Sequence, residues 1–336
     1  MIPSATGDSG PAAWPLPSGP MGSILSVTFP FFALVAAGYM AARRRWLPLE
    51  AIPGLNGFVL FFALPAMLYR FGASTPIARL LDGAVAGVWL LCALTVVGFA
   101  VAVSLGGRIR WNDAAFGALV AAFPNSGFMG VPLIAALLGS QAVGTVIVVI
   151  VVDMVITSSL CIALSRLDAG EGGARAALRQ ALLGVLRNPM PWAIGLGALA
   201  SAWSIALPGP LDKTVGLLAD AASPVALFTI GAVLARSQMQ ADHPMPLRDY
   251  VPLALMKLLL HPLLVLLVGA GAIQIGVGLQ PAALTVMVLT AALPSASNVS
   301  LLAERMGADN GRVARIILVS TALAFFTFSA AVAWLR

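Results

Sequence analysis

Charge is scarce in this sequence. Of 336 residues only 10% are Asp, Glu, Lys or Arg, while 60% are hydrophobic. Soluble domains usually carry about 25% charged residues, and no soluble core could absorb this much apolar surface. The mean hydropathy of +0.97 agrees, so the chain reads as a polytopic membrane protein. Cysteine is almost absent. Cys92 and Cys161 both fall in apolar segments, which supports neither a disulfide framework nor a thiolate metal site. No metal and no cofactor is expected. Catalytic signatures are missing as well: there are no paired aspartates, no His-Glu-x-x-His, and no serine placed by a motif beside His261. Gly-rich runs such as Gly195-Leu-Gly197 follow no strand, so they are not phosphate-binding loops. The chain does not read as an enzyme. Its net charge of +6 does not imply nucleic acid, because in a membrane protein the placement of basic residues carries the information.

What is present is a series of apolar segments. Residues 1–20 are rich in Pro, Gly, Ser and Ala, carry one charge at Asp8, and read as a disordered extension. They lack a basic n-region, so no cleaved signal peptide is expected, and Met21 is a candidate start. Crossing roughly 30 Å of hydrocarbon takes about 20 apolar residues. Such spans are expected near 23–42, 52–68, 83–105, 114–138, 143–164, 191–207, 215–234, 250–275, 282–302 and 313–335. The linker 166–189 separates a first repeat, 21–165, from a second, 190–336, and its stretch 173–187 is expected as an interfacial amphipathic helix. Five helices per half force opposite orientations, so the repeat is inverted. The expected fold is an all-α polytopic membrane protein with ten transmembrane helices, a five-plus-five inverted repeat with two broken crossing helices. With both termini outside, 14 of the 19 basic residues fall in inner segments and four in outer ones, with Lys257 inside a span. This is the pattern of a multi-pass inner (plasma) membrane protein.

Two stretches stand apart. Ala121-Ala-Phe-Pro-Asn-Ser-Gly-Phe-Met-Gly-Val-Pro132 places two prolines and two glycines deep in an apolar segment. Pro124 and Pro132 each remove a helical hydrogen bond, and Gly127 and Gly130 allow the backbone to leave the helix. Ala291-Ala-Leu-Pro294 repeats the opening of that stretch in the second half, as Pro224 echoes Pro65. Interrupted helices in matching positions of two halves point to a transporter's binding site. Half-helix N-termini attract carboxylates. Asn125 and Asn298 offer amides, and Ser126, Ser295 and Ser297 offer hydroxyls. The expected substrate-binding residues are therefore Asn125, Ser126, Gly127, Ser295, Ser297 and Asn298, with breaks at Pro124, Pro132 and Pro294. No fixed cation is required at the break. Charges within spans default to functional readings, and Asp153, Lys257 and His261 are coupling candidates. Lys257 has snorkelling to the interface as its bland alternative, and Asp220 has a cap or loop position.

The stretch 123–132, the run Ala291-Ala-Leu-Pro-Ser-Ala-Ser-Asn298, the continuation Leu302-Ala-Glu-Arg-Met-Gly-Ala-Asp309 to Ser320-Thr321, and Asp220-Ala-Ala-Ser-Pro-Val-Ala-Leu227 with Gly231 together resemble the auxin efflux carrier family, in a bacterial form. The resemblance covers nearly all of 21–336. It implies a transport domain holding two crossing broken helices, a separate scaffold domain, and export or exchange of small organic acids driven by membrane potential or protons. Plant relatives carry auxin; bacterial ones are associated with malonate and malate. The long cytoplasmic loop of some plant members is missing here. The implied partners are a small organic anion and the lipid bilayer, with no nucleic acid and with a homodimer left open. A sodium-coupled organic anion symporter of the bile-acid type is the alternative.

Overall fold

The structure is a computed structural model describing residues 20–76, 80–105, 109–167, 173–239 and 245–335. The expected extension, apart from Pro20, lies outside the described residues, as do 168–172 of the linker and Arg79, Arg108 and Arg336. All regular structure among the described residues is helical. Seven helices are long and apolar enough to cross a membrane: Ile24–Arg43 within α1 (Pro20–Arg43), α2 (Leu49–Ser74), α3 (Gly83–Ser104), α6 (Ser140–Leu164), α9 (Gly209–Met239), α10 (Val251–Gln274) and α13 (Asn310–Leu335). The shorter ones are α4 (Trp111–Ala122), α5 (Ser126–Leu138), α7 (Gly173–Arg187), α8 (Pro189–Ala202), α11 (Pro281–Ala291) and α12 (Asn298–Arg305).

Several boundaries differ from expectation; α2, expected to end at 68, runs to Ser74. The span expected at 191–207 is the 14-residue α8, about 21 Å long at 1.5 Å per residue. Asn188 fixes its start by accepting a hydrogen bond from the Met190 amide at 3.0 Å, with Pro189 in the first turn, where its missing N–H costs nothing. The span expected at 215–234 is instead the 31-residue α9, which runs straight through Pro224. Asp220 is therefore helical rather than a cap, and pairs with Arg70 at 3.5 Å on an exposed surface. Helix α3 starts as expected, capped by Asp82, which accepts from the Val85 amide at 3.0 Å.

The helices pack in two groups. In the first, α1 lies along α9, and α2 packs on α8 and α9. In the second, α3 packs on α4, α6 and α10, α10 on α11, and α13 on α10, α4 and α12. The groups meet where α13 touches α1 and where the start of α5 faces α9. The outward surface remains apolar, with Phe61, Phe62, Phe99, Leu267, Phe326 and Trp334 exposed, as a lipid-facing surface requires.

Glycines set the first group's geometry. A Cβ at Gly38 would stand 1.8 Å from the Phe228 carbonyl oxygen, and one at Gly231 would stand 1.9 Å from the Val35 carbonyl oxygen. The α1 and α9 backbones thus touch directly, as small residues permit in membranes. Gly197 plays the same part between α8 and α2, where an added Cβ would collide with the Tyr69 carbonyl oxygen. Since backbone cannot yield, Gly231→Ala should cost about 1–3 kcal/mol or more. A lowered thermal midpoint in detergent is the expected outcome, with Gly54→Ala, which has nothing within 4 Å, unchanged.

Candidate functional site

Helix α4 ends at Ala122 and α5 begins at Ser126; α11 ends at Ala291 and α12 begins at Asn298. The two gaps meet. The Asn125 amide donates to the Pro294 carbonyl at 2.8 Å, and the Ala296 amide donates to the Phe123 carbonyl at 2.9 Å. Pro124 and Ser295 face each other in this antiparallel bridge. The pairing satisfies backbone groups that hydrocarbon would leave bare. It also revises one expectation: the Asn125 and Ala296 amides hold the breaks together and are not free for an anion.

Pro132 is not a break. The chain turns helical at Ser126 and continues through Pro132 to Leu138 by widening into a π-turn, Ser126–Gly130. Proline clashes with the carbonyl four residues back and supplies no N–H; a π-turn relieves both demands. Pro65 follows the π-turn Val59–Ala63, and Pro262 follows Met256–Leu260, in the same way. A fourth π-turn, Asp153–Thr157, has no proline; there the Ser158 hydroxyl donates to the Asp153 carbonyl at 2.8 Å. Glycine also acts otherwise than expected. Gly127 and Gly130 are helical, without positive φ. A Cβ at Gly127 would meet Leu64 at an ordinary 3.6 Å, whereas one at Gly130 would press on Leu293 at 2.8 Å. Gly130 therefore provides room for the opposite break.

Asn125, Ser126, Ser295 and Ser297 are buried, and Asn298 is half-buried. The Ser126 hydroxyl turns back to donate to the Pro124 carbonyl at 3.1 Å. Ser295 Oγ and Asn298 Oδ1 are buried without a hydrogen-bond partner among the described residues. Ser320, a residue sequence reasoning did not single out as a ligand, supports the break by accepting from the Ser295 amide at 3.2 Å. Ser297 and Phe128 line a narrow cavity against Asn56 and Val59 of α2 and Thr229 and Ile230 of α9. It lies between the two helix groups, and its roughly 10 Å³ holds about one water. Asn56 and Thr229 were missed because helical periodicity does not say which distant helix a polar residue faces.

Behind the break lies a buried charged cluster. Asp153 Oδ1 accepts hydrogen bonds from Trp89 Nε1 and from the Thr157 hydroxyl, each at 3.0 Å. Lys257 is fully buried, so it does not snorkel. Its Nζ donates to the Ala291 carbonyl, the last residue of α11, and lies 3.4 Å from His261 Nδ1. Lys257 and Asp153 are close enough to interact electrostatically. The His261 ring packs on Trp89 with centroids 5.0 Å apart. Asp153 Oδ2 and His261 Nε2 are buried and unpartnered among the described residues. The three coupling candidates thus come together, and the Lys257 side chain reaches the end of α11.

Arg312, read from sequence as a topogenic basic residue, is a buried clamp. It donates to the carbonyls of Asp249 at 2.7 Å and Asp113 at 2.8 Å and to the Ser104 hydroxyl at 3.0 Å, tying α13 to the starts of α10 and α4 and the end of α3. A Cβ at Gly117 would lie 2.7 Å from its Nη1.

A bundle of apolar helices with a buried polar site where two helix breaks meet has the build of a membrane transporter. The chain belongs to the Membrane transport protein family, the auxin efflux carrier family, which it matches over residues 23–332. It is 30% identical over 314 residues to the "Putative malonate transporter" of Rhizobium meliloti (strain 1021), covering 91% of this chain and 94% of that protein. It is 28% identical over 284 residues to the "Uncharacterized transporter YfdV" of Escherichia coli (strain K12), covering 82% and 86%. A Methanothermobacter thermautotrophicus "Uncharacterized transporter" is 27% identical over 305 residues, covering 90% and 93%.

The bridge geometry is directly testable. Residues opposite each other at a non-hydrogen-bonded antiparallel position have Cα atoms about 4.5 Å apart, within disulfide range. With Cys92 and Cys161 replaced by Ala, the pair Pro124→Cys and Ser295→Cys should oxidise to a disulfide. Thiol alkylation read by intact mass before and after reduction checks it.

Proposed function

We propose that this protein is a secondary active transporter of small organic anions, carboxylates above all, working by alternating access driven by membrane potential or protons. The carrying observation is the pair of helix breaks bonded to each other, with Ser295 Oγ and Asn298 Oδ1 buried beside them and unpartnered. Buried polar atoms without partners are costly; a carboxylate oxygen would accept from the Ser295 hydroxyl, whereas Asn298 Oδ1, itself an acceptor, would take a donor such as a substrate hydroxyl or a water. Asn125, Ser126, Gly127, Ser295, Ser297 and Asn298 form the substrate site in this reading, and Asn56 and Thr229 form its wall on the first helix group.

Ten crossings follow if α4 with α5 and α11 with α12 each count as one interrupted span and α8 completes the set. The halves are then 21–165 and 190–336, in opposite orientations with both termini outside the inner membrane. The reciprocal bonding of the breaks supports this symmetry. The groups α1, α2, α8, α9 and α3–α6, α10–α13 correspond to scaffold and transport units. A cavity with room for one water cannot hold a dicarboxylate, so the units must part to admit substrate. The malonate in the Rhizobium relative's name makes malonate the first substrate to test.

In proteoliposomes under an imposed potential, Asn298→Ala and Asn125→Ala should lower labelled malonate transport at least about a hundredfold, with membrane insertion intact. Wild-type rates in both variants would remove the breaks as the substrate site. Asp153 is the proton-coupling residue in this reading, because an ionised carboxylate at that depth is costly and its Oδ2 lacks a partner. Asp153→Asn should therefore flatten the pH dependence of transport measured at fixed potential.

A further inference from the structure

In transporters built on broken helices, coupling cations bind at half-helix C-terminal ends, where carbonyls lack intrahelical partners. Helix α11 presents such an end at the break. Its last carbonyl, Ala291, is occupied, and the occupant is the Lys257 side chain. We propose that Lys257 is a built-in coupling cation: its ammonium fills the cation position at the end of α11, so the carrier works without sodium. This rests on the transporter reading above and sets aside its sodium-coupled alternative.

The surroundings are those of a cation site. Ala291 supplies a carbonyl oxygen, Asp153 a carboxylate within electrostatic reach, and His261 Nδ1 a nitrogen at 3.4 Å. All three side chains are fully buried, and Lys257 enters from the π-turn of α10 while Asp153 enters from the π-turn of α6. A hydrated sodium ion would need to displace a tethered amine already inside this ligand set, which the tether keeps at a high effective concentration. The tether has a second consequence. A bound sodium crosses with its substrate and cancels part of the substrate's charge; Lys257 stays with the protein, opposed by Asp153. An anion then crosses with no sodium charge beside it to offset its own.

The test uses the full-length protein. Lys257→Ala removes the side chain beyond Cβ, which n-propylammonium matches atom for atom. Two measurements are made: thermal stability of the detergent-solubilised protein, and labelled malonate transport in proteoliposomes under a potassium diffusion potential. In both, N-methylglucamine is exchanged for sodium or n-propylammonium. Wild type should be indifferent to the exchange. Lys257→Ala should lose transport roughly tenfold or more, and should regain both transport and stability with n-propylammonium or sodium. Lys257→Met, which keeps the bulk without the charge, should lose transport with no rescue by either cation. Sodium-dependent transport by wild type, or a folded Lys257→Ala indifferent to both cations, overturns the proposal. If Lys257→Ala does not fold, the sodium response of wild type and the Lys257→Met result decide. If wild type moves no malonate, the stability measurements still report on the cation site, and the failure lies with the substrate reading.

Discussion

An unpaired peptide group cannot be left in hydrocarbon, and the rest of this chain is arranged around that constraint. Proline at 124 and 294 opens two helices inside apolar segments. Each opening would expose amides and carbonyls costing several kcal/mol apiece. The chain answers by letting the two openings bond to each other, between Asn125 and Pro294 and between Ala296 and Phe123. Lys257 takes the Ala291 carbonyl and Ser320 takes the Ser295 amide. Beside the bonded openings, Ser295 Oγ and Asn298 Oδ1 stay buried and unpartnered among the described residues, next to Ser297, which lines a narrow cavity. Satisfying the backbone locally leaves the unmet hydrogen bonding in side chains.

Proline and serine shape the helices around this centre by a common device. Three π-turns precede prolines 65, 132 and 262, and a fourth is held by Ser158. Each carries a residue of the site or sits beside one: Val59 on the cavity, Ser126 at the break, Asp153 and Lys257 in the charged cluster. A π-turn rotates the residues after it relative to a regular helix, so it redirects side chains without ending the span. Rigid backbone contact at Gly38 and Gly231 supplies the opposite property in the first helix group.

Much of this was legible in the residues. Apolar runs located most helices, and the two Pro-Asn or Pro-Ser stretches located the breaks. The charges at 153, 257 and 261 were recognisable because charge is costly inside a membrane. What escaped sequence reasoning depends on contacts between distant segments. Nothing local says that residue 124 bonds beside residue 295, or that Trp89 holds Asp153. Pro132 read as a break because proline removes a helical hydrogen bond; it does so here, but the turn widens instead. Lys257, a coupling candidate, kept snorkelling to the interface as its alternative because the sequence gives depth along a helix and not the direction of a face. Helix α8 read as longer than it is because apolar residues continue past Ala202 without continuing the helix.

The Arg312 clamp has a consequence for how such a chain can change over time. Its guanidinium occupies the space into which any side chain at position 117 would grow. The two positions form an epistatic pair. Enlarging Gly117 while Arg312 is present presses on the guanidinium and strains its bonds to the Asp113 carbonyl and the Ser104 hydroxyl. Shrinking Arg312 first opens the space but takes the guanidinium donors from the Asp249 and Asp113 carbonyls and from Ser104. A change at either site therefore alters what the other can tolerate, which ties together two residues 195 positions apart in the chain.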